Sequence, residues 1–140
     1  MKKTIVMWLI CFHLLCLCGC DTDYVLGKDL FRMPEQVGGG VVIRHAGYSL
    51  GFYSEQPQKA ASYVALIKQM KIRQTDRKGS LTSEIYEIRF DSVICDEVTY
   101  EIQEVIPVWL VIDEDLILYN GQWYEADTSR LLRQLEKDFS

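Results

Sequence analysis

The sequence predicts an α+β domain, in which an antiparallel β-meander sheet carries one inserted helix and one C-terminal helix packed on it. After residue 40, apolar residues alternate with polar ones along most of the chain, as in strands with one buried face. Two stretches, at 57–72 and 127–139, instead repeat their apolar residues with helical spacing. Because the strands follow one another and helices interrupt them only twice, we expect one antiparallel sheet covered by these helices.

The first two predicted strands form a hairpin. Residues 41–43 are β-branched throughout, which favours a strand. Apolar and small residues then alternate along 48–52, the pattern of a strand with one buried face. Ala46 and Gly47 lie between the two runs and are predicted to form the turn.

The inserted helix is predicted from Pro57 to Ile72. One helical stripe carries its apolar side chains, and its lysines lie off that stripe. Pro57 is tolerated in a first turn, and the hydroxyl of Ser54 can cap the helix. The polar stretch from Gln74 to Ser83 is predicted to be a loop.

Five more strands are predicted, at 86–90, 98–103, 108–112, 116–119 and 122–125. The third of these is almost wholly apolar, as in a central strand covered on both faces, so we expect Trp109 in the core. The acidic run at 113–115 is predicted to turn the chain. Asn120 and Gly121 both accept positive φ, which predicts a tight type I′ hairpin turn.

The final helix is predicted to begin at Asp127 or Thr128, either of which can act as its N-cap. Its apolar stripe consists of Leu131, Leu132, Leu135 and Phe139. This stripe needs an apolar surface to cover, and one face of the sheet supplies it.

The first 20 residues carry the features of an export signal. Lys2 and Lys3 precede an apolar run from Ile5 to Leu17, which is shorter than the roughly 20 residues of a membrane-spanning helix. The following Leu17–Cys20 segment, Leu-Cys-Gly-Cys, resembles the lipobox of bacterial lipoproteins. That resemblance implies cleavage before Cys20 and a diacylglyceryl group on its sulfur. The alternative is an ordinary secretory signal cut near Gly19, which would leave a soluble protein.

The resemblance divides the chain into a signal peptide at 1–19, a lipidated tether at 20–40 and a single α+β domain at 41–140. Two or three acyl chains hold a protein stably at a membrane, so we expect an extracytoplasmic protein anchored in the cell envelope through Cys20. Asp21 resembles the inner-membrane retention signal of enteric bacteria.

The length and net charge of the mature chain limit its number of domains and its classes of binding partner. The leader holds two of the 15 basic residues and none of the 20 acidic ones, which leaves 121 residues with 13 basic groups and a net charge of −7. This length suits one domain, and this charge argues against binding nucleic acid or anionic lipid through electrostatics. The tether residues at 25–31 are too apolar for a pure linker, so we expect part of the tether to dock on the domain.

Cys95 is the one cysteine left beyond the anchor, so no intramolecular disulfide can form. It ends the apolar run 93–95, and we expect it in the core, where burial keeps a thiol inert. The catalytic alternative pairs Cys95 as nucleophile with His45 as base.

Residues 41–47, Val-Val-Ile-Arg-His-Ala-Gly, resemble the opening of the histidine phosphatase superfamily. The resemblance implies His45 as phosphoryl acceptor and Arg44 as phosphate clamp. The family also needs a second histidine and a larger parallel α/β domain, whereas His45 is the only histidine after the leader. The alternative interpretation places both residues at a strand end near a turn.

The remaining signals concern binding. No pair of histidines or cysteines remains to hold zinc, and we expect no metal, cofactor or catalytic residue. Trp123 and Tyr124 point to opposite faces of a strand, so one of them is expected to be exposed as a binding patch. The sequence therefore predicts a non-enzymatic lipoprotein that binds a protein or another envelope component, with an inhibitor or immunity role as one form. The alternative is a small hydrolase or phosphatase-like enzyme using His45 or Cys95.

Overall fold

A computed structural model of the chain describes residues 23–33, 40–53, 55–96 and 98–140. They form an eight-stranded antiparallel sheet and three helices, so the predicted α+β class is confirmed. The predicted signal peptide, the lipidation site at Cys20, Asp21 and the predicted helix cap Ser54 lie outside the described residues.

The strands are β1 Val25–Leu26, β2 Val41–His45, β3 Tyr48–Phe52, β4 Lys71–Gln74, β5 Tyr86–Cys95, β6 Ile102–Asp113, β7 Leu116–Tyr119 and β8 Gln122–Ala126. The helices are α1 Gly27–Leu30, α2 Pro57–Gln69 and α3 Ser129–Phe139. The strand order in the sheet is β1-β4-β8-β7-β6-β5-β2-β3. Strands β5 to β8 form a meander, and the β2–β3 hairpin extends it on one side. Helix α2 carries the chain across to β4 on the other side.

Two tight turns close hairpins where the sequence predicts them. Ala46 and Gly47 have φ of 47° and 83°, and Asn120 and Gly121 have φ of 49° and 78°. Positive φ at both central residues defines a type I′ turn, whose twist matches that of the flanking strands. Both predicted hairpins are therefore confirmed.

The core lies between one face of the sheet and helices α2 and α3. The even-numbered side chains in the middle of β5 and β6 face this core, as strand alternation requires. The fully buried side chains of the core include Ile43, Tyr63, Ile67, Ile88, Leu110, Ile112, Ile117, Leu131 and Leu135. Burial of an aliphatic side chain of this size contributes about 2 kcal/mol, so these residues supply the main driving force for folding. The apolar stripes predicted for the two helices are confirmed.

Helix α2 ends earlier than predicted. It stops at Gln69, and the chain continues into β4, which pairs with β8 through Ile72 and Ala126. The predicted helix end at Ile72 is wrong. Ile72 follows Tyr63 by about two and a half helical turns, so in a helix it would lie opposite the buried stripe. In the structure its side chain is buried by the sheet instead.

Part of the predicted tether belongs to the domain. Strand β1 pairs with β4, and Phe31 and Met33 after α1 are buried. Gly27 packs directly on the backbone of Ile67 in α2, where a Cβ would collide with the carbonyl oxygen. The expected docking is confirmed, and the sheet includes residues that precede position 41.

Strand β6 is central but is not covered on both faces. Val108, Leu110 and Ile112 are buried, whereas Trp109 is 51 % exposed. The predicted burial of Trp109 is wrong because the helices α2 and α3 cover one face only. Strand alternation places Trp109 on the opposite face, which we call the outer face.

The β5–β6 hairpin extends beyond its neighbours in the sheet. Strand β2 pairs with β5 no further along than Arg89, and β7 pairs with β6 only from Val111 onward. Within the described part of the chain, 91–95 and 102–107 therefore pair only with each other. We call the hairpin from 91 to 107 the ribbon. The two strands predicted at 98–103 and 108–112 are one strand in the structure, β6, which begins at Ile102.

Candidate binding surface

His45 is held in one orientation at the end of β2. Its Nδ1 lies 3.0 Å from the carbonyl oxygen of Ile85, so Nδ1 carries the proton and donates it to that oxygen. The imidazole stacks on Tyr86 with ring centroids 4.0 Å apart, and the edge of Phe139 approaches it at 5.5 Å. These contacts give His45 a packing role, because they join the last turn of α3 to the sheet.

Cys95 and His45 lie at opposite ends of β5. His45 pairs with Tyr86 at the start of this strand, and Cys95 is its last residue. At a rise of about 3.3 Å per residue, the two side chains are roughly 30 Å apart. The predicted nucleophile–base pair is therefore not assembled.

Cys95 is exposed, so its predicted burial is wrong. The apolar run 93–95 looks like a core strand in the sequence. In the structure this run belongs to the ribbon, which has passed the helices that cover the rest of β5.

Arg44 and His45 border a shallow depression of about 440 Å³ at the β2–β3 turn, together with Glu87. Successive side chains of a strand point to opposite faces, and Arg44 is exposed while His45 is half-buried. The sheet is antiparallel, unlike the parallel domain that the phosphatase resemblance implies. The two residues therefore do not converge as a nucleophile and its phosphate clamp would.

Trp123 and Tyr124 do not form an exposed patch. Trp123 is only 8 % exposed, because the loop after β4 covers it. A Cβ at Gly79 of that loop would lie 2.5 Å from the indole Cη2. Tyr124 is half-buried on the opposite face and packs against the core.

The most exposed large apolar side chains lie instead at the end of the ribbon. Val98 is 85 % exposed and Tyr100 is 81 % exposed, and Ile102 beside them is also exposed. We call these three residues the ribbon tip. The alternation at 98–103 predicts a half-buried strand, which is wrong: the whole stretch is exposed, and only its last two residues belong to a strand. The acidic residues Asp96 before the stretch and Glu101 within it are the sequence signal for exposure.

The turn at the ribbon tip is fixed by hydrogen bonds. Asp96 Oδ1 accepts from the backbone N–H groups of Val98 and Thr99, each at 2.8 Å. The backbone N–H of Tyr100 donates to the carbonyl oxygen of Asp96 at 3.0 Å. The N–H bonds from Thr99 and Val98 hold the pKa of Asp96 below its ordinary value, because they stabilise the carboxylate. The tip is therefore presented by an ordered turn.

Tyr100 adopts a backbone conformation that ordinary side chains avoid. Its φ is 58°, in the left-handed region, which costs a non-glycine residue about 1 kcal/mol or more. Its ring is exposed, so packing within the described residues does not repay this cost. Strained positions that keep a large side chain cluster at functional sites.

The surroundings of the ribbon tip are acidic. Asp96, Glu101 and Glu104 flank it, and Glu104 alone of these three has a basic partner among the described residues, Arg32, at 3.2 Å. Pro107 lies on the stretch of β6 that pairs only with β5, and a proline has no N–H to offer a further strand. The ribbon is therefore suited to contacts through side chains rather than to strand addition.

A second group of charges lies at the far edge of the sheet and is internally paired. Arg77 binds both carboxylate oxygens of Asp115, at 2.9 and 3.2 Å, and also contacts Glu125. Arg73 on β4 bonds to Glu125 on β8. Hydrogen bonds from Arg73 and Arg77 lower the pKa of Glu125, and that from Arg77 lowers the pKa of Asp115. This network ties β4 and β8 to the turn before β7, which is a structural role.

No metal site is found in the part of the chain that the structure describes, since no three acidic, histidine or cysteine side chains gather there. None of the described helices has the length and apolar character needed to cross a membrane. Comparison with protein-family models, curated proteins and solved structures finds no match to this chain.

Proposed function

We propose that this chain is a membrane-anchored bacterial envelope lipoprotein whose domain binds a protein partner, without catalysis, through the ribbon tip. One observation carries the proposal: the two large apolar side chains with the highest exposed fractions, Val98 and Tyr100, lie together at the end of a projecting hairpin, on an ordered turn. Exposed apolar clusters rimmed by polar residues are typical of protein interaction sites. The anchor enters the proposal through the lipobox-like segment ending at Cys20.

The ribbon tip also defines the chemistry of the partner. The ring of Tyr100 needs an apolar pocket, and aromatic anchors of this kind contribute most of the binding energy at many interfaces. Asp96 and Glu101 beside it favour basic groups around that pocket. The same carboxylates disfavour insertion of the tip into an anionic bilayer, whose surface repels them. A basic protein surface, as in an inhibitor or immunity pair, is the occupant that fits.

The absence of catalysis is part of the proposal. Its support is that the candidate residues are separated: Cys95 is on the ribbon, and His45 is packed between strand and helix about 30 Å away. Arg44 points away from His45.

Site-specific cross-linking in the native host tests the interaction. Tyr100 is replaced by a photoreactive phenylalanine in the full-length chain, and the matched control carries the same group at Tyr48, an equally exposed tyrosine on the β2–β3 hairpin. We expect a discrete protein adduct from position 100 and none from position 48. Adding Val98→Ser and Ile102→Ser should abolish the adduct. Cross-links to lipid alone, or equal adducts from both positions, would contradict the proposal.

The anchor is tested separately. We expect labelled palmitate to enter the wild-type chain, and the Cys20→Ser variant to lose both the label and its place in the membrane fraction. An unlabelled wild type, together with a Cys20→Ser variant that still sediments with membranes, would show that the anchor is wrong.

A further inference from the structure

A row of residues crosses the outer face of the sheet on four strands. Gly51 on β3 pairs with Val42 on β2, Val42 pairs with Arg89 on β5, and Arg89 pairs with Trp109 on β6. With about 4.8 Å between strands, the row spans roughly 14 Å. Val42, Arg89 and Trp109 of this row line a shallow groove of about 450 Å³, with Tyr53 at one end and Trp109 at the other.

Both aromatic rings at the ends of this groove are exposed and yet held in place. Tyr53 is 56 % exposed, and its ring lies so close to Gly51 that a Cβ there would be 2.6 Å from Cε2. Trp109 is half exposed, and the guanidinium carbon of Arg89 lies 3.8 Å from its ring centroid. A cation over an aromatic face is attracted by the ring quadrupole, which fixes both side chains. The groove therefore presents two ordered ring surfaces.

Arg89 and Asp91 lie two residues apart on β5, on the same face, and both line the groove. Neither forms an ion pair with another of the described residues, and Arg89 Nε is buried without a hydrogen-bond partner among them. Arginine is a donor only and a carboxylate is an acceptor only. The groove thus offers both kinds of hydrogen bond, and its two charges cancel.

We propose that this groove binds an uncharged oligosaccharide. The apolar C–H face of a pyranose ring can lie on an exposed aromatic ring, and neighbouring hydroxyls both donate and accept hydrogen bonds. Tyr53 and Trp109 supply the ring surfaces, while Arg89 donates to hydroxyl oxygens and Asp91 accepts from hydroxyl protons.

The charges around the groove favour an uncharged oligosaccharide over charged polymers. A nucleic acid or an acidic polymer would meet Asp91 in the groove and Glu87 two residues before Arg89, in a chain of net charge −5. A basic polymer would meet Arg89 and the nearby Arg44. A neutral polyhydroxylated chain meets no net charge and uses both hydrogen-bonding groups. Proline-rich peptides also bind in aromatic-lined grooves, so a proline-rich peptide is the alternative ligand in the test.

The test titrates the full-length protein in neutral detergent with tetramers of glucose and of N-acetylglucosamine, and with a decaproline peptide, by calorimetry. We expect at least one saccharide to bind at concentrations below about 10 mM. Trp109→Ala and Tyr53→Ala should each weaken this binding about tenfold, because each removes one stacking surface. Arg89→Met and Asp91→Leu should weaken it as well.

The matched control is Tyr48→Ala, an exposed tyrosine outside the groove, which should bind saccharide as the wild type does. Trp109→Phe should retain binding because it keeps a ring, which separates stacking from loss of structure. Failure of both saccharides to bind, binding of decaproline alone, or unchanged binding in Trp109→Ala would overturn the proposal. Such a result would leave the ribbon tip as the proposed partner site, since the two surfaces share no residue.

Discussion

The hydroxyl of Tyr63 on α2 donates a hydrogen bond of 2.6 Å to Oδ2 of Asp138 on α3. The same carboxylate accepts from Lys59 Nζ at 2.6 Å and from Gln134 Nε2 at 3.1 Å, and its side chain is only 5 % exposed. A buried carboxylate needs such donors to remain charged. Asp138 therefore joins the two helices that cover the sheet.

Replacing Asp138 with Asn should destabilise the domain. The variant loses the ion pair with Lys59 while keeping the side-chain volume, so we expect the free energy of unfolding to fall by about 2 kcal/mol. Urea denaturation followed by circular dichroism measures this change. Glu136→Gln on the same helix is exposed and should stay within about 0.5 kcal/mol of the wild type. Equal losses in both variants would show that Asp138 has no special role.

The contribution of Asp138 should depend on pH. Burial alone would raise its pKa, but hydrogen bonds from Lys59, Tyr63 and Gln134 outweigh burial and hold the pKa below the ordinary value of 3.8. Because the folded-state pKa is lowered, the stabilisation is complete above the unfolded-state pKa and is lost as the pH falls through the folded-state value. The stability difference between wild type and Asp138→Asn should therefore shrink below about pH 4. A constant difference down to lower pH would contradict this.

The two tryptophans of the sheet should respond differently to truncation. Trp123→Ala removes a buried side chain and should cost about 4 kcal/mol of unfolding free energy, since it leaves a cavity under the covering loop. Trp109→Ala removes a half-exposed ring and should cost about 1 kcal/mol. Thermal unfolding of both variants checks that the loop after β4 covers Trp123 and leaves Trp109 open. A larger loss in Trp109→Ala would contradict this.

These tryptophans also show which features of the fold the sequence predicts and which it does not. The residue pattern predicts most of the meander, the turns of both hairpins, the type I′ turn at Asn120 and Gly121, and the two long helices, because each depends on local periodicity or turn chemistry. Whether an outward side chain is covered depends on non-local packing. Trp123 is buried because the loop that contains Gly79, distant in sequence, packs directly on its ring. Trp109 has no such cover among the described residues.

Short strands, and strands that extend beyond their neighbours, are the other features that the sequence pattern does not predict. Strand β4 buries only Ile72, and one apolar residue defines no period. Cys95 and Val98 lie on the ribbon, and apolar sequence alone does not tell a core strand from a hairpin that passes beyond the helices. The sequence therefore predicts a binding patch at Trp123 and Tyr124, whereas the exposed apolar cluster of the structure is the ribbon tip.

Replacing Tyr100 with Gly should stabilise the domain while removing the proposed aromatic anchor. Glycine adopts the left-handed conformation of this position without strain, so we expect a gain of about 0.5 kcal/mol. The control, Tyr48→Gly in strand β3, should instead lose about 1 kcal/mol, because glycine is unfavourable in a strand. Chemical denaturation gives both values. A loss in Tyr100→Gly would mean that the ring stabilises the turn.

Gly27→Ala should detach the N-terminal segment from α2. The added methyl group would collide with the carbonyl oxygen of Ile67, a backbone atom in the last turn of α2 that accepts from the N–H of Met70, so we expect a loss of about 3 kcal/mol. Lys28→Ala, at the neighbouring exposed position, should change stability by less than about 0.5 kcal/mol. Limited proteolysis should cleave the Gly27→Ala variant earlier within 23–33. Similar behaviour of the two variants would contradict the close packing.

The docking of β1 at Val25 sets how far the domain can stand from a lipid on Cys20. Five residue steps separate these two positions, and a fully extended chain covers at most about 3.6 Å per step, or about 18 Å in all. A proposed anchor at Cys20 would thus confine the domain to a layer beside the bilayer, because the linker to the lipid is shorter than the width of the eight-stranded sheet. The domain would then bind its partners close to the membrane surface and not in the open periplasmic space.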